Sequence, residues 1–94
     1  MTALLSAVEI QTKLESLNGW QQEGKTIQTV KTFDGFPSAI AFVNKLVEPA
    51  ETAGHHPDLS ISYNKVTIAL STHDAGGLTQ KDFDLAATID KLAT

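Results

Sequence analysis

Leu59-Ser60-Ile61-Ser62-Tyr63-Asn64-Lys65-Val66-Thr67-Ile68-Ala69-Leu70 decides the fold of this chain. Two alternating runs meet at a polar pair, which is the pattern of a β-hairpin and not of a helix. A turn at Asn64-Lys65 sets the register, pairing Tyr63 with Val66, Ile61 with Ile68 and Leu59 with Leu70. Side chains alternate across a strand, so Leu59, Ile61, Tyr63, Val66, Ile68 and Leu70 share one face. His56, Ser60, Ser62, Thr67, Ser71 and His73 share the other. Continued outward, this register sets His56 against His73, and two imidazoles are expected at the open end of the hairpin.

The segments on either side carry their own punctuation. Ser6-Ala7-Val8-Glu9 fits a capping box and predicts a helix over 7–17, with Ala7, Ile10, Leu14 and Leu17 on one face and Asn18-Gly19 as its stop. Residues 20–23 and 26–33 flank Gly24-Lys25, a glycine-first loop, and the second run is rich in β-branched residues; this is a first hairpin. Asp34, Gly35 and Pro37 open a helix over 37–53 whose apolar face is read as Phe36, Ile40, Val43, Leu46 and Val47. Pro49 lies inside it and predicts a kink or an early end, because proline removes one backbone hydrogen bond and crowds the carbonyl of Lys45. Thr79-Gln80-Lys81-Asp82 is a second capping box and starts a helix bearing Phe83, Ala86, Ala87, Ile89, Leu92 and Ala93. The order α-β-β-α-β-β-α predicts an α+β fold, a four-stranded antiparallel sheet with the helices packed on one face. The order of the strands is left open.

Composition narrows the function. The chain has 94 residues and is read as one domain, 1–94, large enough for a single modest core. Its net charge is -4, and its seven basic residues are all lysines. Without arginine the fork-shaped donors that most often read phosphates and guanine edges are missing, so nucleic acid is not expected as a partner. The absence of cysteine excludes disulfides, thiolate metal sites and cysteine nucleophiles. The first residues lack the basic flank and apolar run of a signal peptide, and no stretch is long and apolar enough for a bilayer; a cytoplasmic protein is expected.

The chemistry-bearing residues cluster around the second hairpin. Imidazole exchanges protons near neutral pH, so His55, His56 and His73 are candidates for acid-base catalysis. Glu51 stands one helical turn before His55, where its carboxylate could orient that ring. Asp82 has a capping task on Thr79, but its second oxygen could also hold an imidazole N–H and fix the tautomer. A zinc site is disfavoured: adjacent histidines in extended chain point to opposite sides, and no short helical His-x-x-x-His spacing is present. The serines at 60, 62 and 71 sit on no glycine-flanked elbow, so nucleophilic catalysis has no support. Gly76-Gly77 allows close backbone approach to a ligand, while Trp20 and Tyr63 are read as packing residues.

Glu51-Thr-Ala-Gly-His55-His56-Pro57, Tyr63-Asn64-Lys65-Val66, Leu70-Ser71-Thr72-His73, Gly77-Leu78-Thr79 and Asp82 together resemble the signature of the pterin-4a-carbinolamine dehydratases. The resemblance is dense in the second half and looser in the first, where Gly19-Trp20, Phe33 and Ala41-Phe42 carry it. It implies a small α+β hydro-lyase, active without metal or bound coenzyme, that converts 4a-hydroxytetrahydropterin to the quinonoid dihydropterin. It also implies a functional link to aromatic amino-acid hydroxylases, which produce that substrate, and a homodimer or homotetramer. On this resemblance His55, His56 and His73 line the pterin, Glu51 and Asp82 support them, and Gly54, Ser71 and Thr72 complete the substrate-binding set. His73 and His55 are cast as the acid-base groups, with His56 mainly binding the pterin. Domains of this kind also serve as dimerisation or assembly cofactors, so a non-catalytic scaffold stands as the alternative.

Overall fold

The expected elements form in the expected order in a computed structural model that describes residues 3–93: α1 (Ala7–Glu15), β1 (Gln21–Glu23), β2 (Thr26–Thr32), α2 (Phe36–Ala53), β3 (Asp58–Ser62), β4 (Lys65–Leu70) and α3 (Gln80–Leu92). A short 3₁₀ turn, His73–Ala75, lies between β4 and α3. Both capping boxes close: Ser6 Oγ accepts from the Glu9 amide at 3.1 Å while the Ser6 amide donates to Glu9 Oε1 at 2.8 Å, and Thr79 with Asp82 repeats the device at α3. Helix α1 stops two residues before the expected end, at Glu15.

The four strands form one antiparallel sheet in the order β1-β2-β4-β3, so the second strand of each hairpin lies at the centre. The inner face of the central pair, Ile27, Thr29, Val66, Ile68 and Leu70, is buried. It packs with Ile10 of α1, Phe42 and Leu46 of α2, and Phe83, Leu85 and Ile89 of α3 in one core. The far end of α3 is tied to the first hairpin through Asp90, whose Oδ1 accepts from Trp20 Nε1 at 2.9 Å and lies 2.7 Å from Lys31 Nζ.

The register of the second hairpin differs from expectation. Ser62 pairs with Lys65, Ile61 with Val66 and Leu59 with Ile68, so the loop is Tyr63-Asn64 and β3 slides two residues along β4. The cause is tertiary: Asn64 Nδ2 donates to Phe33 O at 2.8 Å and the Phe33 amide donates to Asn64 O at 2.8 Å, which holds Asn64 against the end of β2. Tyr63 then closes the loop at φ +53°, a left-handed conformation unusual for a large side chain. A slip of two preserves the faces, so Leu59 and Ile61 still point with Ile68 and Val66. At the sheet edge, however, they remain 38% and 40% exposed.

Of the kink or early end expected at Pro49, the early end does not occur: helix α2 continues to Ala53. Its buried stripe is Ala39, Phe42, Leu46 and Ala50, rotated from the one read in the sequence; Phe36 and Val47 are exposed. The helix carries two apolar stripes, and apolarity alone does not tell which meets the sheet. In α3, Leu85 is buried and Ala87 exposed, because the inward stripe centres on Asp82, Leu85, Ala86 and Ile89. A charged residue heads that stripe, which no apolar pattern anticipates.

Candidate active site

Helix α2 ends in a Schellman turn. The Gly54 amide donates to Glu51 O at 3.2 Å and the His55 amide reaches back to Ala50 O at 3.0 Å. Gly54 takes φ +61°, and a Cβ built there would meet nothing within 4 Å, so the left-handed backbone, not crowding, is what favours glycine. The reversal sends consecutive side chains to opposite sides. His55 turns inward and is 8% exposed. The His56 side chain turns outward and is 64% exposed.

The carboxylate expected beside His55 goes to His56 instead. His55 Nε2 lies 2.6 Å from Asp82 Oδ1, whereas Glu51 Oε2 sits 2.5 Å from His56 Nε2. Glu51 stays on the outer surface of the last turn of α2, the side that His56 faces once the Schellman turn has reversed the chain. Asp82 is fully buried. Its Oδ2 accepts from the Thr79 amide and from Thr72 Oγ1, both at 2.9 Å, which leaves Oδ1 for the imidazole. The cap and the histidine contact are therefore made by the two oxygens of one side chain.

Thr72 ties this pair to the loop that carries His73. Its carbonyl accepts from the amides of Ala75, Gly76 and Gly77 at 3.1, 3.0 and 3.3 Å, and its amide donates to Gly77 O at 2.9 Å. Its hydroxyl also touches Thr79 Oγ1 at 2.7 Å. Thr72, expected to face substrate, thus points its hydroxyl inward and spends both backbone groups inside the loop. His73 stands exposed on the 3₁₀ turn, and Ser71 is half-buried beside Thr72. The juxtaposition of His56 and His73 does not form. Extended past Asp58, the observed register would set His56 against Ser71, because the two-residue slip moves every partner, and the ladder has in any case ended at Asp58.

Glu51, Gly54, His55 and His56 from the end of α2, Ser71, Thr72 and His73 from the loop after β4, and Asp82 from the start of α3 are the candidate site residues. Among the described residues no three histidine, aspartate or glutamate side chains group as metal ligands. A carboxylate accepts at both oxygens, so the Nε2 atom facing Asp82 carries a proton and neutral His55 has its lone pair on Nδ1. Nδ1 makes no hydrogen bond among the described residues, where no buried side-chain nitrogen or oxygen lacks a partner, so Nδ1 is the ring nitrogen that meets the surface. A lone pair able to accept a proton is held there, with a buried carboxylate behind the ring. Sequence reasoning left Thr79 as a cap alone. Its T-x-x-D spacing marks a helix start but cannot show that the threonine hydroxyl also meets Thr72.

The model of a family described as pterin 4 alpha carbinolamine dehydratase matches residues 3–92. A Nostoc sp. protein provisionally named as such a dehydratase is 65% identical over 92 residues, covering 98% of this chain and 99% of its own. A crystal structure of a transcriptional coactivator/pterin dehydratase from Brucella melitensis superposes with a TM-score of 0.92 at 30% identity, covering 96% of this chain and 98% of that one. A pterin dehydratase-like protein, identified as a RuBisCO assembly factor in the alpha-carboxysome, superposes with a TM-score of 0.69 at 25% identity over 81% of this chain and 90% of that one. Fold, length and near-complete coverage agree, and the chain belongs to the pterin 4-alpha-carbinolamine dehydratase family.

Proposed function

We propose that this protein dehydrates 4a-hydroxytetrahydropterin to quinonoid dihydropterin by histidine acid-base catalysis, and so returns a pterin to the aromatic amino-acid hydroxylases that use it. The observation that carries the reading is the buried Asp82-His55 pair, which leaves His55 Nδ1 without a hydrogen bond and open to a proton. In the reaction the C4a–O bond breaks with its electrons on oxygen, and a proton delivered to that oxygen releases water. The N5–H bond gives up its proton, and its electrons form the C4a=N5 bond. One proton is supplied and one removed, so two imidazoles suffice. His55 and His73 exchange these protons. His56, steadied by Glu51, holds the pterin with Gly54 and Ser71.

In this reading the chain works as a single domain in the cytoplasm and self-associates. Phe36 and Val47 on α2, and Leu59 and Ile61 on the edge strand β3, are exposed apolar side chains that association would cover. Light scattering at micromolar concentration is expected to give a dimer or tetramer; a monomer removes this part.

A scaffold role is the second reading, favoured by the likeness to the RuBisCO assembly factor. Adding the purified chain to chemically generated 4a-hydroxytetrahydropterin and following quinonoid formation separates the two. Acceleration over buffer supports the dehydratase, and a rate equal to buffer leaves the scaffold.

A further inference from the structure

We propose that Thr72 and Thr79 are positioning residues, which orient the Asp82 carboxylate behind His55 and lock the His73 loop to the same carboxylate. The inference rests on the dehydratase reading for its kinetic arm but on geometry alone for its spectroscopic one. The hydroxyls form a directed chain. Thr72 Oγ1 donates to Asp82 Oδ2 at 2.9 Å, so its one proton is committed. The contact of 2.7 Å between Thr72 Oγ1 and Thr79 Oγ1 must then be donated by Thr79. Thr79 Oγ1 in turn accepts from the Lys81 amide at 3.3 Å, the capping bond of α3. The Lys81 amide, Thr79 and Thr72 thus point their donors one way, toward the Asp82 carboxylate behind His55.

Burial makes the chain selective. Thr79 and Asp82 are fully buried and Thr72 is 6% exposed, so no water competes freely for these bonds. Two donors on Oδ2 leave Oδ1 as the acceptor for Nε2–H and hold the carboxyl plane in one orientation. Because the Thr72 carbonyl also gathers the amides of Ala75, Gly76 and Gly77, a shift of Thr72 would move the His73 turn and Asp82 together. Thr72 couples the two proton-exchanging histidines without touching substrate through hydroxyl, amide or carbonyl.

Thr72→Val removes the hydroxyl at nearly constant shape, and Thr72→Ser restores it. Imidazole nitrogen shifts by ¹⁵N NMR on the free protein read the tautomer directly. Wild type is expected to show His55 with Nε2 protonated and Nδ1 bare. Thr72→Val keeps the proton on Nε2, since either Asp82 oxygen only accepts, but with one donor lost from Oδ2 the carboxylate is expected to turn, moving the Nε2 signal and lowering kcat about tenfold, with KM within about twofold. Thr72→Ser is expected to return both readouts to wild type. A folded Thr72→Val with unchanged His55 signals overturns the proposal. So does a rise in KM with kcat intact, which would make Thr72 a substrate contact. If Thr72→Val does not fold, a wild-type His55 protonated on Nδ1 overturns it just as well. Absence of dehydratase activity in wild type refutes the proposed function instead, while the nitrogen shifts still decide the hydroxyl chain.

Discussion

Asp82→Asn tests the site most sharply, because the substitution changes one oxygen to nitrogen and leaves the shape alone. With the asparagine carbonyl in the place of Oδ2, the donations from the Thr79 amide and Thr72 Oγ1 survive, so the cap of α3 and the His73 loop are kept. The NH₂ group then faces His55 Nε2. Two donors cannot share that contact, so the ring proton moves to Nδ1 and the outward nitrogen loses its lone pair. A charge-assisted bond is exchanged for a neutral one, a loss of about 1–2 kcal/mol. A chain of 94 residues has roughly 5–14 kcal/mol of stability, so the variant folds. Its melting temperature is expected to drop by about 5–10 °C. Asp82→Ala is the contrasting change: it orphans the Thr72 hydroxyl, the Thr79 amide and His55 Nε2 at about 1–3 kcal/mol each, and much of the protein is expected to unfold. Removing the base from the surface should lower turnover about 10²-fold or more. Circular dichroism checks the fold, the dehydration assay reads turnover and ¹⁵N shifts locate the proton. A folded Asp82→Asn protein that keeps wild-type turnover, or keeps the proton of His55 on Nε2, would refute the reasoning.

Three further outcomes are expected. His73→Ala should lower turnover about 10²-fold while altering stability by less than about 1 kcal/mol, since the ring is exposed and leaves no cavity; paired kinetic and urea measurements check this. Tyr63→Gly should stabilise the fold by about 0.5 kcal/mol, because it relieves the φ of +53° at a side chain that is 68% exposed, with the extra freedom of glycine in the unfolded chain offsetting part of the gain; a higher urea midpoint is the expected reading. The bond from the Ser6 amide, followed by that from the Ser6 hydroxyl, holds the Glu9 carboxyl below the usual glutamate range. A depressed folded-state value means that its stabilisation is full above the unfolded-state value and is lost as pH falls through the folded one. Glu9→Gln should therefore converge with wild type in acid, which denaturant titrations at neutral and acidic pH compare.

Element order and the faces of the second hairpin were legible because both depend on local pattern and on parity, which a slip of two leaves intact. The position of its turn was not. Asn64 is a favoured turn residue wherever it stands, and only its grip on Phe33, 31 positions away, moves the loop to Tyr63-Asn64. The stripe of α2 was misread for a related reason: Phe36 and Val47 are as apolar as Phe42 and Leu46, and the sheet makes the choice. In the site, the residues were readable from spacing and resemblance while their pairing was not. Glu51 lies one turn from His55 on any helix count, yet the left-handed residue at Gly54 rotates the next two side chains and gives Glu51 to His56. The tie between His55 and Asp82 spans 27 positions and has no local signature.

Every side chain assigned to the site comes from the stretch 51–82, while α1, β1 and β2 supply a partner strand, a share of the core and the grip of Trp20 and Lys31 on Asp90. This asymmetry has a genetic consequence. Changes in α1, β1 and β2 are expected to act on turnover through the fraction of molecules folded, so a second-site substitution that adds stability anywhere in the packed layer is expected to suppress them. No such global suppressor restores a chain altered at His55 or Asp82, where the defect survives folding. A suppressor screen would thus divide the sequence at α2, with interchangeable revertants on one side and only local ones at the site residues on the other.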